Sequence, residues 1–400
     1  MITPGQRKRS IRAAVLLVSA SAGLALVAAC SGPAHRASAG PRPPVAASSR
    51  AVSAAATVKA SPTAPATPRR LRHRAIPASC RHGGPALWAH LASCGWPGPA
   101  NTGPDLSQCP GGQLTANSGR RSRTIAITTP GTVISCENIT GMIDIQAQNV
   151  TIRNSVVTAD SGLTGENANG TAGIKVENGA SATIDHVKIN GSNGVHACIW
   201  HQGTNMVVSA VDCSGSDDGI WSWADSSYSG TTGDHFIIRN SYFHDFTART
   251  SNGHEDGYQT EGASYGLIEH NTYLMTTNGD SAIAIWDGLR NASNIRVSDN
   301  LITGGGFAIY AEDYNPGDGA PGNPPAVGGF TVSNIAFTNN VFSTFAAGCV
   351  GQFGVWFSRP SWGPFAGGPT DGWHRGGNTV LETGQNIDNG NPSVNGQLCT

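Results

Sequence analysis

Three carboxylates, Glu261, Asp287 and Glu312, fall at one position of short alternating segments that also carry aromatic residues. The segments include Ile199-Trp200-His201-Gln202, Ile220-Trp221-Ser222-Trp223, Tyr258-Gln259-Thr260-Glu261, Ala284-Ile285-Trp286-Asp287, Ile309-Tyr310-Ala311-Glu312 and Val355-Trp356-Phe357-Ser358. Side chains alternate faces along a strand, so the second and fourth positions point the same way. Aligned on an inward first residue, one outer face gathers Trp200, Trp221, Gln259, Tyr310 and Trp356 beside Trp223, Glu261, Asp287 and Glu312. The Trp286 segment fits this alignment least well and admits a shift of one residue. Like charges stacked on a sheet repel one another, so three in a row need a reason. Glycoside hydrolysis supplies one. Carboxylates about 5–5.5 Å apart suit retention and about 6.5–9.5 Å suit inversion. Neighbouring strands lie about 4.8 Å apart, and repulsion keeps one carboxyl protonated as the acid. Aromatic faces hold sugar rings. A hard cation such as Ca²⁺ is a second reason, and an ordinary solvated acidic face is the plain alternative.

A second set of groups precedes the same segments. Asp217-Asp218-Gly219 leads into Ile220, and His254-Glu255-Asp256-Gly257 leads into Tyr258, placing Asp218 and Asp256 in one slot of successive repeats. A His between carboxylates can act as acid, base or ligand. The competing reading is a corner Asp bonded to its own backbone. His196 and His201 are weaker candidates.

The elements that must position these groups are repeats. A motif of β-branched residues, a polar turn residue and a second apolar pair recurs around positions 152, 184, 208, 238, 268, 297 and 337. Self-similarity at such spacing signals a stacked array. Short alternating segments with Gly, Asn and Asp punctuation and no helical period are strands. The recurrent Asn suits a turn that needs the left-handed conformation or bonds to stacked backbone. The expected fold is all-β: a single-stranded right-handed parallel β-helix of about eight or more coils, whose inward residues are covered by neighbouring coils.

On these motifs the chain resembles the pectin-lyase-like superfamily of right-handed parallel β-helices over roughly residues 115–390. It also resembles exported actinobacterial β-helix proteins through Gly95-Trp96-Pro97, Asn101-Thr102-Gly103 and Gly131-Thr132-Val133-Ile134-Ser135. That superfamily includes hydrolases, lyases, epimerases, esterases and non-catalytic adhesins, so the fold alone does not choose a function. The Asp217-Asp218 pair is similar to the paired aspartates of β-helix polygalacturonases. Their Asn-Thr-Asp and Gly-His-Gly motifs are absent here.

The chain has 400 residues and a formal charge of −1. Residues 1–79 hold 12 of the 25 Lys and Arg and no acid; the remaining 13 bases and 26 acids give residues 80–400 a charge of −13. A domain this acidic repels nucleic acid. Residues 1–30 read as a lipoprotein signal, with a basic start, an apolar stretch and Leu26-Val27-Ala28-Ala29 before a lipidatable Cys30. Residues 31–79 read as a disordered Pro/Ala/Ser-rich linker. Residues 80–120 are assigned to an N-terminal cap segment and 121–400 to the β-helix with a C-terminal cap. Eight further cysteines suit disulfides in an exported domain; Cys198–Cys213 and Cys349–Cys399 are the local guesses.

The leading expectation is therefore an exported, lipid-anchored, monomeric glycoside hydrolase acting on a polysaccharide. Its acid/base residues are Glu261, Asp287 and Glu312, supported by Asp217, Asp218, His254 and Asp256. Trp200, Trp221, Trp223, Gln259, Tyr310 and Trp356 hold the sugar. No cofactor is required, although Ca²⁺ is compatible with the acidic face. One alternative is a pectate-type lyase with Ca²⁺, for which Arg290 is the best base, although basic residues are scarce. The other is a non-catalytic glycan-binding or structural protein of the cell surface.

Overall fold

The computed structural model describes residues 80, 84–117, 123–222, 233–250, 253–275, 279–287, 289–312, 330, 332–346, 348–359 and 373–388, all within one compact unit. The expected signal and linker, with Cys30, lie outside the described residues, as do Trp223 and Cys399.

Each coil contributes one strand to a nine-stranded sheet and usually two to a seventeen-stranded sheet, and the strand pairings within both are parallel. One coil runs through Tyr258–Thr260, Ser264–Glu269 and Thr272–Leu274; the next runs through Ile283–Trp286, Ala292–Ser298 and Leu301–Thr303. This is the right-handed β-helix that the repeats predict. The repeat alignment holds residue for residue: Ile152 pairs with Ile184, Ile184 with Val208, Val208 with Ile238, Ile238 with Ile268, Ile268 with Val297 and Val297 with Phe337. Their side chains are buried. Burying each such side chain contributes about 1.5–3 kcal/mol, but only while a coil above and one below exclude water.

The sharp turn within the larger sheet explains the recurrent polar residue. Asn154, His186, Asn240, His270, Asp299 and Asn339 all take φ between +45° and +57°, a conformation that Asn and Asp tolerate best among residues with a Cβ. The following residue then points inward. Asn271, Asn300, Asn340 and Asn378 stack there as a ladder. The Nδ2 of each donates to the Oδ1 of the next at 3.0, 2.9 and 2.9 Å, and Asn378 ends the series on Asp388 at 2.6 Å.

The outer side of the larger sheet is crossed by the N-terminal segment. Leu87, Leu91 and Trp96 pack with Tyr242 and Leu301 in a cluster separate from the solenoid core. Gly95 O accepts from His270 Nε2 at 2.9 Å, and Trp96 stacks on the same imidazole. Disulfides Cys80–Cys94 and Cys109–Cys136 fasten this segment, and Cys198–Cys213 crosses between two strands inside the solenoid. Cys349 is also disulfide-bonded. At the other end Trp356 fills the core, 2% exposed, and donates from Nε1 to Ile387 O at 3.1 Å.

Candidate acid/base site at the corner of the nine-stranded sheet

The register of the nine-stranded sheet decides which expected groups meet. Ile199 pairs with Ile220, Ile220 with Tyr258, Tyr258 with Ile283, Ile283 with Ile309 and Ile309 with Trp356. The inward residue of the Trp286 coil is thus Ile283, one position before the Ala284 chosen from sequence, and that of the last coil is Trp356 rather than Val355. Two expectations fall with this shift. Asp287 is not stacked with Glu261 and Glu312: Trp286 occupies that position, paired with Glu312, and Asp287 is buried at 1% exposure just beyond the strand. Trp356 is a core residue and presents no face to a sugar. Glu261 remains at its position with the main-chain oxygen accepting from Leu289 and Arg290, and burial pushes its carboxyl up to about 7.

The outer side of these strands carries Lys175, Trp200, Trp221, Gln259, Ala284, Tyr310 and Phe357 in register, but Trp221 and Gln259 are covered, at 5% and 2% exposure, and do not form the open sugar-holding surface expected of them. Trp200 stacks on Trp221 at 5.1 Å, and Lys175 lies 4.3 Å above the Trp200 ring. Tyr310 lies at the far end beside Phe357 at 4.7 Å.

The second expected cluster is brought together tightly. Asp218 and Asp256 occupy the same slot on adjacent coils. Ala172 and Ala197 hold that slot in earlier coils and pack with Trp200 and Trp221, apart from the solenoid core, so the slot faces the outer side. Glycine follows each aspartate because the corner has no room: a Cβ on Gly219 would meet Gly257 O at 2.2 Å, and one on Gly257 would meet Tyr273 at 2.5 Å. Glu255 sits between His254 and Asp256 with φ +57°, the left-handed conformation that also recurs at the turns of the larger sheet. It turns two amides onto one oxygen: Asp218 Oδ1 accepts from the N–H of Asp256 at 2.9 Å and of His254 at 3.3 Å.

Asp218 Oδ2 faces His196 Nε2 at 3.1 Å, both fully buried. On its other side His196 Nδ1 lies 3.3 Å from the hydroxyl of Thr250, which donates to Asp217 Oδ2 at 2.8 Å. A hydroxyl has one proton to give. With that proton on Asp217, His196 Nδ1 is the donor to Thr250. Asp217 also accepts from the Thr250 amide at 3.0 Å and pairs with Arg249 at 3.5 Å; burial nonetheless raises its pKa.

Asp256 completes the pair. The Ser281 hydroxyl donates to its Oδ1, and Oδ2 lies 3.8 Å from His254 Nδ1. Burial first, then repulsion from Asp218 and Asp280, holds its carboxyl well above the ordinary range. Asp280 is likewise raised, by burial and by repulsion from Asp218 and Glu255, against the pull of His254. Neighbouring carboxyls in different surroundings hold a proton unequally, which is the condition acid/base pairs exploit. His254 is the most exposed imidazole of the group, at 35%, and Gln259 Nε2 lies 3.2 Å from its Nδ1. Its ring also meets the edge of Trp286 at 5.9 Å.

Several residues here escaped the sequence reading. Asp280-Ser281 precedes its strand as Asp217-Asp218 and Glu255-Asp256 precede theirs; the one-residue misalignment of that coil hid it. Thr250 carries no periodic signal at all. His201 proves to be an interior residue, its pKa lowered to about 3 by burial. Arg290 pairs with Asp234 at 3.6 Å, beyond the opposite end of the strand from Asp256. Among the described residues no group of three or more His, Cys, Asp or Glu is arranged to hold a metal ion.

No family model matches the chain. No curated protein matches it either. Among solved structures it is similar to the crystal structure of the periplasmic alginate epimerase AlgG, at 12% identity and a TM-score of 0.39, over 61% of this chain and 51% of that one. A point mutant of the same epimerase gives 13% identity and a TM-score of 0.36, over 64% and 49%. The chain thus spans about half the length of the solved structures it matches.

Proposed function

We propose that this protein is an extracytoplasmic, carbohydrate-active enzyme whose acid/base centre is the corner cluster of Asp218, Asp256, His254 and Asp280, and that its reaction is glycosidase-type hydrolysis. One observation carries the reading: Asp218 and Asp256 stand in the same slot of adjacent coils, in surroundings that hold the Asp256 carboxyl well above the ordinary range. Asp256 is fully buried, so it serves as the acid for the leaving oxygen through His254, the exposed member of the cluster, whose Nδ1 lies 3.8 Å from its Oδ2. Asp218, also fully buried and braced by His196, positions the Asp256 and His254 amides and acts on the site from behind them. Half-buried Trp200 offers the neighbouring aromatic contact for a sugar ring, with Trp221 buried beneath it as its support. An extracytoplasmic location follows from the signal-like residues 1–30 and agrees with the disulfides.

The test is Asp256→Asn and Asp218→Asn, each assayed on a polysaccharide panel for reducing ends and for unsaturated products. Hydrolysis predicts reducing ends without ultraviolet-absorbing product, and a loss of about 10²–10⁴-fold in either variant. Unsaturated product from the parent protein makes it a lyase, with His254 as the better-placed base than Arg290. Retention of a glycan without any product makes it a binder.

A further inference from the structure

Beside the acid/base cluster lies a cavity of about 480 Å³, lined by Arg123, Asp160, Thr164, Asn193, Asp217 and Arg249 among others. Its volume falls within the roughly 300–1,000 Å³ of small-molecule sites. Asp217 is shared: one oxygen receives the Thr250 hydroxyl that braces His196, and the other faces Arg249 in the cavity wall. A ligand filling the cavity is therefore next to the working carboxyls.

The charges of the cavity come in matched pairs. Arg123 meets Asp160 at 3.1 Å, and Arg249 meets Asp217 at 3.5 Å. Arg249 is further committed to Gly215 O at 2.6 Å. Each pair is held in place. Gly162 donates its N–H to Asp160 Oδ1 at 2.8 Å, and a Cβ there would strike the Arg123 guanidinium at 1.8 Å. Gly253 lets backbone pass over Asp217, where a Cβ would stand 2.7 Å from Oδ2.

With two guanidinium and two carboxylate groups the cavity carries no net positive charge to attract an anion. A ligand carboxylate entering this cavity would bring a third negative charge beside two existing ones, with no unmatched cation to receive it. A sugar hydroxyl meets the opposite situation. It donates to the aspartate and accepts from the arginine of one pair, so each pair can receive a hydroxyl. Charge-assisted bonds of this kind are about twice as strong as neutral ones.

We infer that this cavity is a sugar subsite selective for neutral, hydroxyl-rich rings, and that its two Arg–Asp pairs reject uronates. The inference rests on the proposed function for its location and names the substrate class of that site. It is tested by calorimetric binding to the full chain carrying Asp256→Asn, so that no turnover intervenes, with neutral β-linked oligosaccharides and uronate oligosaccharides of equal length at one ionic strength. Neutral oligomers should bind at least tenfold more tightly, and Arg249→Gln should weaken them about tenfold. Asp160→Asn leaves Arg123 unmatched while keeping an oxygen for Gly162, and should raise the uronate-to-neutral affinity ratio about tenfold. Equal or tighter uronate binding before that change, an unaltered ratio after it, or no binding of any neutral oligomer overturns the inference. Turnover of the Asp256→Asn protein at the parental rate, with the neutral preference intact, overturns the acid/base assignment and leaves the subsite standing.

Discussion

Replacing Glu261 by Gln separates the two sets of acids that the sequence brought forward. Its carboxyl is raised from 4.5 to about 7, and burial is the cause. Below about pH 4.5 the folded and unfolded chains both hold the proton, and burial is without consequence. Between 4.5 and 7 the folded state retains a proton that the unfolded state has lost, so stability falls as pH rises; above 7 the full cost of a buried charge applies. At 1.36 kcal/mol per unit, that shift amounts to about 3 kcal/mol, an upper bound because part of the carboxyl meets water. Glu261→Gln should accordingly match the parent at pH 4 and exceed it by about 2–3 kcal/mol at pH 8.5 in urea denaturation. The two stability curves should diverge between those limits. Turnover supplies the second half of the test. Glu261 lies five residues along the chain from Asp256, roughly 16 Å if extended, too far to share one scissile bond. Activity should fall less than threefold. Parallel stability curves would refute the burial argument, and a collapse of activity would return the chemistry to the Glu261 position.

Other outcomes follow from the same contacts. Thr250→Val removes the hydroxyl between Asp217 and His196 and should lower kcat about tenfold while shifting a limb of the pH–rate profile; Thr250→Ser should restore both. A merely structural role for Thr250 would leave the profile in place. Asn300→Ala deletes the ladder bonds to Ile268 O, Asn340 and both donors of Asn271. At about 1 kcal/mol per bond, it should cost about 4 kcal/mol in urea denaturation, and a loss under 1 kcal/mol would show that the ladder adds little.

Most of the fold was legible because its core is periodic. Ile152, Ile184, Val208 and Ile238 must all face inward, so a wrong step would expose every neighbour. The Trp286 coil was misread for a related reason: Ile283, Ala284, Ile285 and Trp286 are all apolar, and alternation could not distinguish two registers. Backbone pairing with Tyr258 and Ile309 could. Asp217, Asp218, His254 and Asp256 were legible as a cluster because each pair precedes a glycine and an inward residue. His196 was undervalued because its partner Asp218 lies in another coil, and no local spacing reveals a contact made only by stacking. The crossing N-terminal segment was equally hidden, since Trp96 and His270 are far apart in sequence.

The asparagine ladder has a direction. Each Nδ2 gives one proton to the Oδ1 of the following coil and the other to a main-chain oxygen of the coil before, while each Oδ1 takes only from the coil before, so every interior rung is chemically interchangeable with the next. Only the last needs a different residue, and Asp388, which accepts without donating, fills that place; burial opposes its charge, but bonds from Asn386, Asn378 and Gly377 keep its pKa low. Lineages could therefore lengthen or shorten this protein by whole turns of the spiral without redesigning its interior, provided that the terminating aspartate travels with the end.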